Sequence, residues 1–143
     1  MNLAALTLHE AREKLRKREF SAQELTEAVF RQISDTEAKV HSYITLCCGS
    51  ALEEAKHAEK RLKTEANPDF PLGIPIAVKD NFLTRGIRTT CASKILANFI
   101  PPYDSTIVKK LRASGVIVIG KTNLDEFAMG SSAENSAFFP THN

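Results

Sequence analysis

Pro71-Leu-Gly-Ile-Pro-Ile-Ala-Val-Lys-Asp-Asn81 decides how this chain is read. Its apolar run, Ile74 to Val78, ends abruptly in Lys79-Asp80-Asn81, the pattern of a buried strand that meets charge at its end. Open α/β sheets place chemistry beyond the carboxyl ends of such strands. On these residues alone Lys79 has two readings: a chemical group, or a strand-end side chain that snorkels to water.

Working outward, Val116 to Ile119 is a continuous β-branched run, the mark of a strand buried on both faces. Before it, Asp104 or Ser105 is placed to cap a helix running to about Ser114, with Ile107, Val108 and Leu111 inward. Gly115 ends that helix. Cys91 to Leu96 reads as a short helix stopped by Pro101-Pro102. Strand, helical crossover, strand is a βαβ-like order and predicts a largely parallel sheet with covering helices.

Upstream, residues 1 to about 66 read as helices punctuated by the capping boxes Thr7-x-x-Glu10, Ser21-x-x-Glu24 and Ser50-x-x-Glu53. The spacing predicts helices over about 8–17, 22–37 and 51–64, the third with a weaker apolar face of Leu52, Ala55, Glu59 and Leu62. His41 to Leu46 alternates like a short strand. Asn67 to Pro71 is a breaker-rich linker. The expected organisation is a helical segment, 1–66, followed by the start of an α/β domain, 67–143, one incomplete domain in all.

The 19 Lys and Arg against 17 Asp and Glu give a net charge of +2, too small to argue for nucleic acid or an anionic membrane. The basic cluster Arg12 to Arg18 reads as a solvated helix end suited to the macrodipole. Cys47, Cys48 and Cys91 have no metal-site spacing and suit free thiols in a reducing cytoplasm. Cys91 reads as a small buried apolar residue. The four histidines lack ligand spacing, so no metal is expected. The start has no signal-peptide pattern, and no run is long enough to span a membrane.

Gly115-Val-Ile-Val-Ile-Gly120-Lys121-Thr122 matches the letters of a phosphate-binding loop. Its four β-branched residues want to be strand, whereas that loop needs sharp turns after a strand, so the match is rejected. Asp80 and Asn81 read as fixing the turn after the first strand, and Asp125 and Glu126 as complementing the dipole of a short helix.

Leu72-Gly-Ile-Pro-Ile-Ala-Val-Lys-Asp-Asn81 together with Gly120-Lys-Thr-Asn-Leu-Asp-Glu-Phe-Ala-Met-Gly-Ser-Ser132 closely resembles the amidase signature family. The wording Leu124-Asp-Glu-Phe-Ala-Met-Gly-Ser-Ser-Ala-Glu-Asn135 is most similar to the glutamine-hydrolysing subunits of tRNA-dependent amidotransferases. The resemblance implies an α/β fold in which N-terminal helices precede the first part of a mixed, helix-covered amidase-type sheet. It implies a Ser–cis-Ser–Lys mechanism in which Lys79 is the base, and a pocket whose candidates are Met129, Gly130 and Ser131. A lysine in water keeps its proton at neutral pH, with an ordinary pKa of about 10.4. Burial disfavours the ammonium, and the run Ile74 to Val78 is expected to desolvate Lys79. The family's two serines lie beyond Pro140-Thr-His-Asn143, so this chain alone is expected to be inactive. Phe139 departs from the family's usual glycine. Implied partners are glutamine, the B and C subunits of a cytoplasmic heterotrimer, and tRNA through the partner subunit. No cofactor is implied in this chain, since ATP and magnesium would belong to the partner. A stand-alone amide hydrolase and a non-catalytic binding remnant stay open as alternatives.

Overall fold

The computed structural model describes residues 2–65 and 71–143. The linker residues 67–70 fall outside them. Helix α1 spans Leu8–Arg16 and α2 spans Ala22–Val40. Both begin with the expected capping boxes. Thr7 Oγ1 accepts from the Glu10 amide (3.3 Å) and Glu10 Oε2 accepts from the Thr7 amide (2.8 Å). Ser21 and Glu24 repeat the arrangement at 3.1 and 2.7 Å. Helix α2 runs three residues past the expected end and stops where His41 takes a left-handed φ of 54°. Strand β1 then covers Tyr43–Leu46.

The third capping box does not form. Helix α3 spans Cys48–Thr64, so Ser50 lies inside it and donates to the Cys47 carbonyl. The reason is tertiary. The Cys47 amide bonds the Ile119 carbonyl at 2.9 Å, which delivers the chain from the sheet straight into the helix. The inner face of α3 also differs from expectation. Ala51, Ala55 and Ala58 are buried rather than the Leu52, Glu59 and Leu62 row. Small residues let the helix approach the sheet closely, and Glu59 turns away to accept from the first amide of α2, that of Ala22, at 3.0 Å.

Strand β2 spans Pro75–Lys79, helix α4 spans Thr106–Ala113 and strand β3 spans Ile117–Thr122. Ser105 caps α4, its hydroxyl accepting from the Val108 amide. The 91–96 segment is mostly turn, with a 3-10 turn only at Lys94–Leu96. The sheet order is β1-β3-β2, with β2 parallel and β1 antiparallel to β3. The βαβ unit is therefore present, and the sheet is mixed. Residues 117–122, the rejected phosphate-loop match, are its central strand.

Alternation sorts the core into two sides. Ile117 and Ile119 join Leu72, Ile74 and the inner faces of α1 to α3 in one cluster. Val118 joins Val78 and Val108 of α4 in another. Ile107 is half exposed and faces outward, contrary to expectation. A helix of eight residues against one sheet face buries a narrow stripe, and Val108 occupies it.

One irregularity matters for the site. Ile76 pairs with Val118 but Ala77 pairs with Gly120, so β3 carries an extra residue. Beyond that bulge Val78 lies opposite Lys121 and Lys79 opposite Thr122. A one-residue shift reverses the faces of all that follows. It turns Lys121 onto the side of Val78 and Val118. Gly120 itself sits where β1 crosses closely: a Cβ there would lie 2.7 Å from the Thr45 carbonyl oxygen and 2.8 Å from the Tyr43 ring.

Candidate active site

β2 and β3 are parallel, so their carboxyl ends emerge together. At that end an open cleft of about 250 Å³ is lined by Lys79, Asn123, Leu124, Asp125, Gly130, Ser131, Ser132 and Ala133. Lys79 and two of the three pocket candidates, Gly130 and Ser131, thus share one wall system. Met129 is 82% exposed and stands outside it.

Lys79 is exposed, and the expected desolvation by Ile74 to Val78 does not occur. The cause is the pleat. Val78 faces the α4 side of the core, so Lys79 and Ala77 face the other way, and both are exposed on a strand at the edge of the described sheet. The desolvated lysine is Lys121, which is fully buried. Its Nζ donates to the Phe82 carbonyl (2.9 Å) and the Thr89 hydroxyl (2.8 Å) and lies 3.3 Å from Asp80 Oδ1. Burial pushes the Lys121 ammonium below the ordinary lysine range, and the facing Asp80 carboxylate opposes that push. Asp80, also fully buried, accepts from both the amide (2.9 Å) and the hydroxyl of Thr90. It therefore ties the strand end to a loop ten residues on, rather than closing a local turn.

The far wall is built on Asp125. Its side chain makes no capping hydrogen bond to the short turn Glu126–Ala128. It instead accepts from the amides of Ser132 (3.1 Å), Ala133 (2.9 Å) and Asn135 (2.9 Å) and from the Asn135 side chain (3.3 Å). The Asn135 and Ala133 amides hold its carboxyl below the usual carboxylate range. The loop folds so tightly round this carboxylate that a Cβ on Gly130 would meet Asp125 Cγ at 2.5 Å. Phe127 and Ala128 take left-handed φ values of 53° and 62°, facing Cys91 and Ala92 at 52° and 55°. The Phe127 amide donates to the Cys91 carbonyl and that of Ala137 to the Ala92 carbonyl, both at 2.9 Å. These bonds hold side-chain-bearing residues in a region that normally favours glycine.

Asn123 joins the cleft to the last residues. Its Nδ2 donates to the Phe139 carbonyl (2.8 Å) and to Thr141 Oγ1 (3.1 Å). Phe139 packs with Ile44, Ala92 and Leu124, and its ring lies 5.5 Å from that of His41. Cys91 is partly exposed rather than buried. Lys121, Asp80, Asp125 and Asn123 are the residues whose parts the sequence did not disclose. A signal existed only for Lys121, a lone charge one glycine past a run of β-branched residues.

Among the described residues no helix is long and apolar enough to cross a membrane. The amidase family profile matches residues 24–143. The A subunit of the glutamyl-tRNA(Gln) amidotransferase of Geobacter sulfurreducens is 54% identical over the whole chain, and the chain covers 29% of that protein. The protein of the same description from Thermoanaerobacter pseudethanolicus is 51% identical, with the same 29% covered. The solved structure of the corresponding glutamyl-tRNA(Gln) amidotransferase protein from Thermotoga maritima superposes with a TM-score of 0.76 at 37% identity, over 100% of this chain and 28% of that one. The chain thus spans under a third of the length of these relatives, and corresponds to their N-terminal part. With a family match over most of its length and the amidase fold around its cleft, the chain belongs to the amidase family.

Proposed function

We propose that this chain is the N-terminal part of a glutamine-hydrolysing subunit that supplies ammonia for converting misacylated Glu-tRNA(Gln), or Asp-tRNA(Asn), to the correctly charged tRNA. The observation that carries the reading is identity of about half along the whole chain to proteins of that description. The placement of Lys79 beside Gly130 and Ser131 supports it. In this reading Lys79 is the base of a Ser–cis-Ser–Lys relay. The glutamine amide lies against Gly130 and Ser131, and a serine hydroxyl attacks its carbonyl as the proton passes through the second serine to Lys79; the proton then returns to the amide nitrogen, the C–N bond breaks, ammonia leaves and a glutamyl ester stays on the serine. Both serines come from the part of the protein outside these 143 residues. Packing of that part over the exposed face of β2 would supply the desolvation that Lys79 lacks here. Water then releases glutamate, and ammonia reaches a B subunit that uses ATP and magnesium to activate the aminoacyl-tRNA. A small C subunit completes the heterotrimer in the cytoplasm.

The test is glutamine-dependent ammonia release. The 143-residue chain alone is expected to give none. The full-length protein carrying it, assembled with its partners, is expected to be active, and Lys79→Ala to lower its rate by about 10³-fold, within the range for loss of a general base. Turnover by the chain alone, or an assembled Lys79→Ala enzyme that keeps most of its rate, would overturn the reading.

A further inference from the structure

We propose that Lys121 and Asp80 are a positioning pair that sets the place of Lys79. The proposal rests on the reading of Lys79 as the base. Lys79 makes no side-chain hydrogen bond among the described residues, so its position comes from the backbone beneath it. That backbone is held almost entirely by its neighbours. The Asp80 amide donates to the Thr122 carbonyl (3.1 Å) and the Asp80 carbonyl accepts from the Cys91 amide (3.0 Å). The Lys79 carbonyl accepts from the Phe82 amide (3.0 Å), and the Phe82 carbonyl accepts from Lys121. Lys121 also reaches Thr89, and Asp80 reaches Thr90. One buried ammonium on β3 and one buried carboxylate after β2 thus grip both ends of the 82–90 loop.

Stability alone does not account for such a pair. Apolar residues of similar volume would hold the core as well, because two charges must be stripped of water. What the pair adds is direction, since each partner spends its bonds on specific atoms of the loop that follows Lys79. The bulge in β3 is what aims Lys121 there. The groups facing the pair are Cys47, just before α3, and Cys91, just after the gripped loop. The acidic residue that lines the cleft together with Lys79 is Asp125.

The test uses the assembled full-length enzyme with Lys121→Met, Asp80→Asn and the double variant. Lys121→Met is expected to lower kcat by about 10²-fold, the scale of a small misplacement of a reacting group. KM should change by less than about threefold, since ground-state binding is not the target. Removing the cation leaves Asp80 unbalanced and favours the proton on Lys79, so the acidic limb of the pH–rate profile moves to higher pH. Asp80→Asn moves it to lower pH, and the double variant returns it towards the parent. A merely structural role gives no such opposed shifts. Hydrogen exchange on the same proteins supplies a readout independent of turnover. The amides of Thr90 and Cys91 should lose protection in each single variant while those of α2 keep theirs. Unshifted pH limbs with unchanged kcat, or exchange that rises equally everywhere, would overturn the positioning role. An inactive parent, or an active Lys79→Ala enzyme, would instead sink the glutaminase reading and leave the exchange results to decide on the pair.

Discussion

Lys79 and Lys121 stand near the carboxyl ends of neighbouring parallel strands, one rung apart in the ladder, yet one is exposed and the other wholly buried. Each follows a run of apolar residues. The difference lies in which side of the sheet each faces and in the place of its strand. β3 is central and covered on both sides, and its bulge turns Lys121 inward. β2 is at the edge of the described sheet, and its pleat turns Lys79 out. An apolar run therefore says that a strand is buried, while the register says whether the charge after it is.

The sharpest way to break this comparison is to exchange the consequences of losing each lysine. In the assembled enzyme, Lys79→Ala should lose about 10³-fold in rate. Its unfolding free energy should fall by no more than about 1 kcal/mol, since Lys79 makes no side-chain hydrogen bond among the described residues and its removal leaves no buried charge unpaired. Lys121→Met should cost about 3–5 kcal/mol by leaving Asp80 buried without its counter-ion. The double variant Lys121→Met/Asp80→Asn should recover part of that. Denaturant titration of the four proteins decides. If Lys79→Ala unfolds the enzyme, or if Lys121→Met costs nothing, the two lysines have been assigned the wrong way round.

A smaller effect tests the bulge. In Gly120→Ala the new methyl meets the Thr45 carbonyl and the Tyr43 ring at under 3 Å, so β1 must move away. Overpacking of this kind costs about 1–3 kcal/mol. Lys121 should keep its burial, since Gly120 lies on the β1 side. A shift in the pH–rate limb of Gly120→Ala comparable to that of Lys121→Met would show that the bulge and the pair are not separable.

What was legible in the sequence follows the range of the forces concerned. The boxes at Thr7 and Ser21 rest on contacts within a few residues, and the strands and the crossover helix show in their own local patterns of apolar residues; each forms. The same pattern at Ser50 fails because Cys47 is bonded to Ile119, far along the chain. The exposure of Lys79 could not be read because a pleat direction depends on a register set by another strand. The Asp125 clamp could not be read either, as its acceptors' partners come seven to ten residues later in a loop without periodicity.

The Asp125 clamp differs from the buried pair in being built on backbone amides of one loop, so its effect is the smallest and most local. Asp125 holds its proton less tightly folded than unfolded, because three backbone amides favour the carboxylate. A depressed folded value means that the stabilisation is complete above the ordinary carboxylate pKa of about 3.9. It is lost as pH falls through the lower folded value. The Ser131 wall should thus stay ordered at neutral pH and loosen only in acid. Amide chemical shifts of Ser132, Ala133 and Asn135 followed on lowering the pH should move together with a midpoint below about 3.9. In Asp125→Asn that titration should vanish, with those three amides already exchanging fast at neutral pH. Shifts that move with a midpoint above the ordinary value would mean that the carboxylate strains the loop rather than holding it.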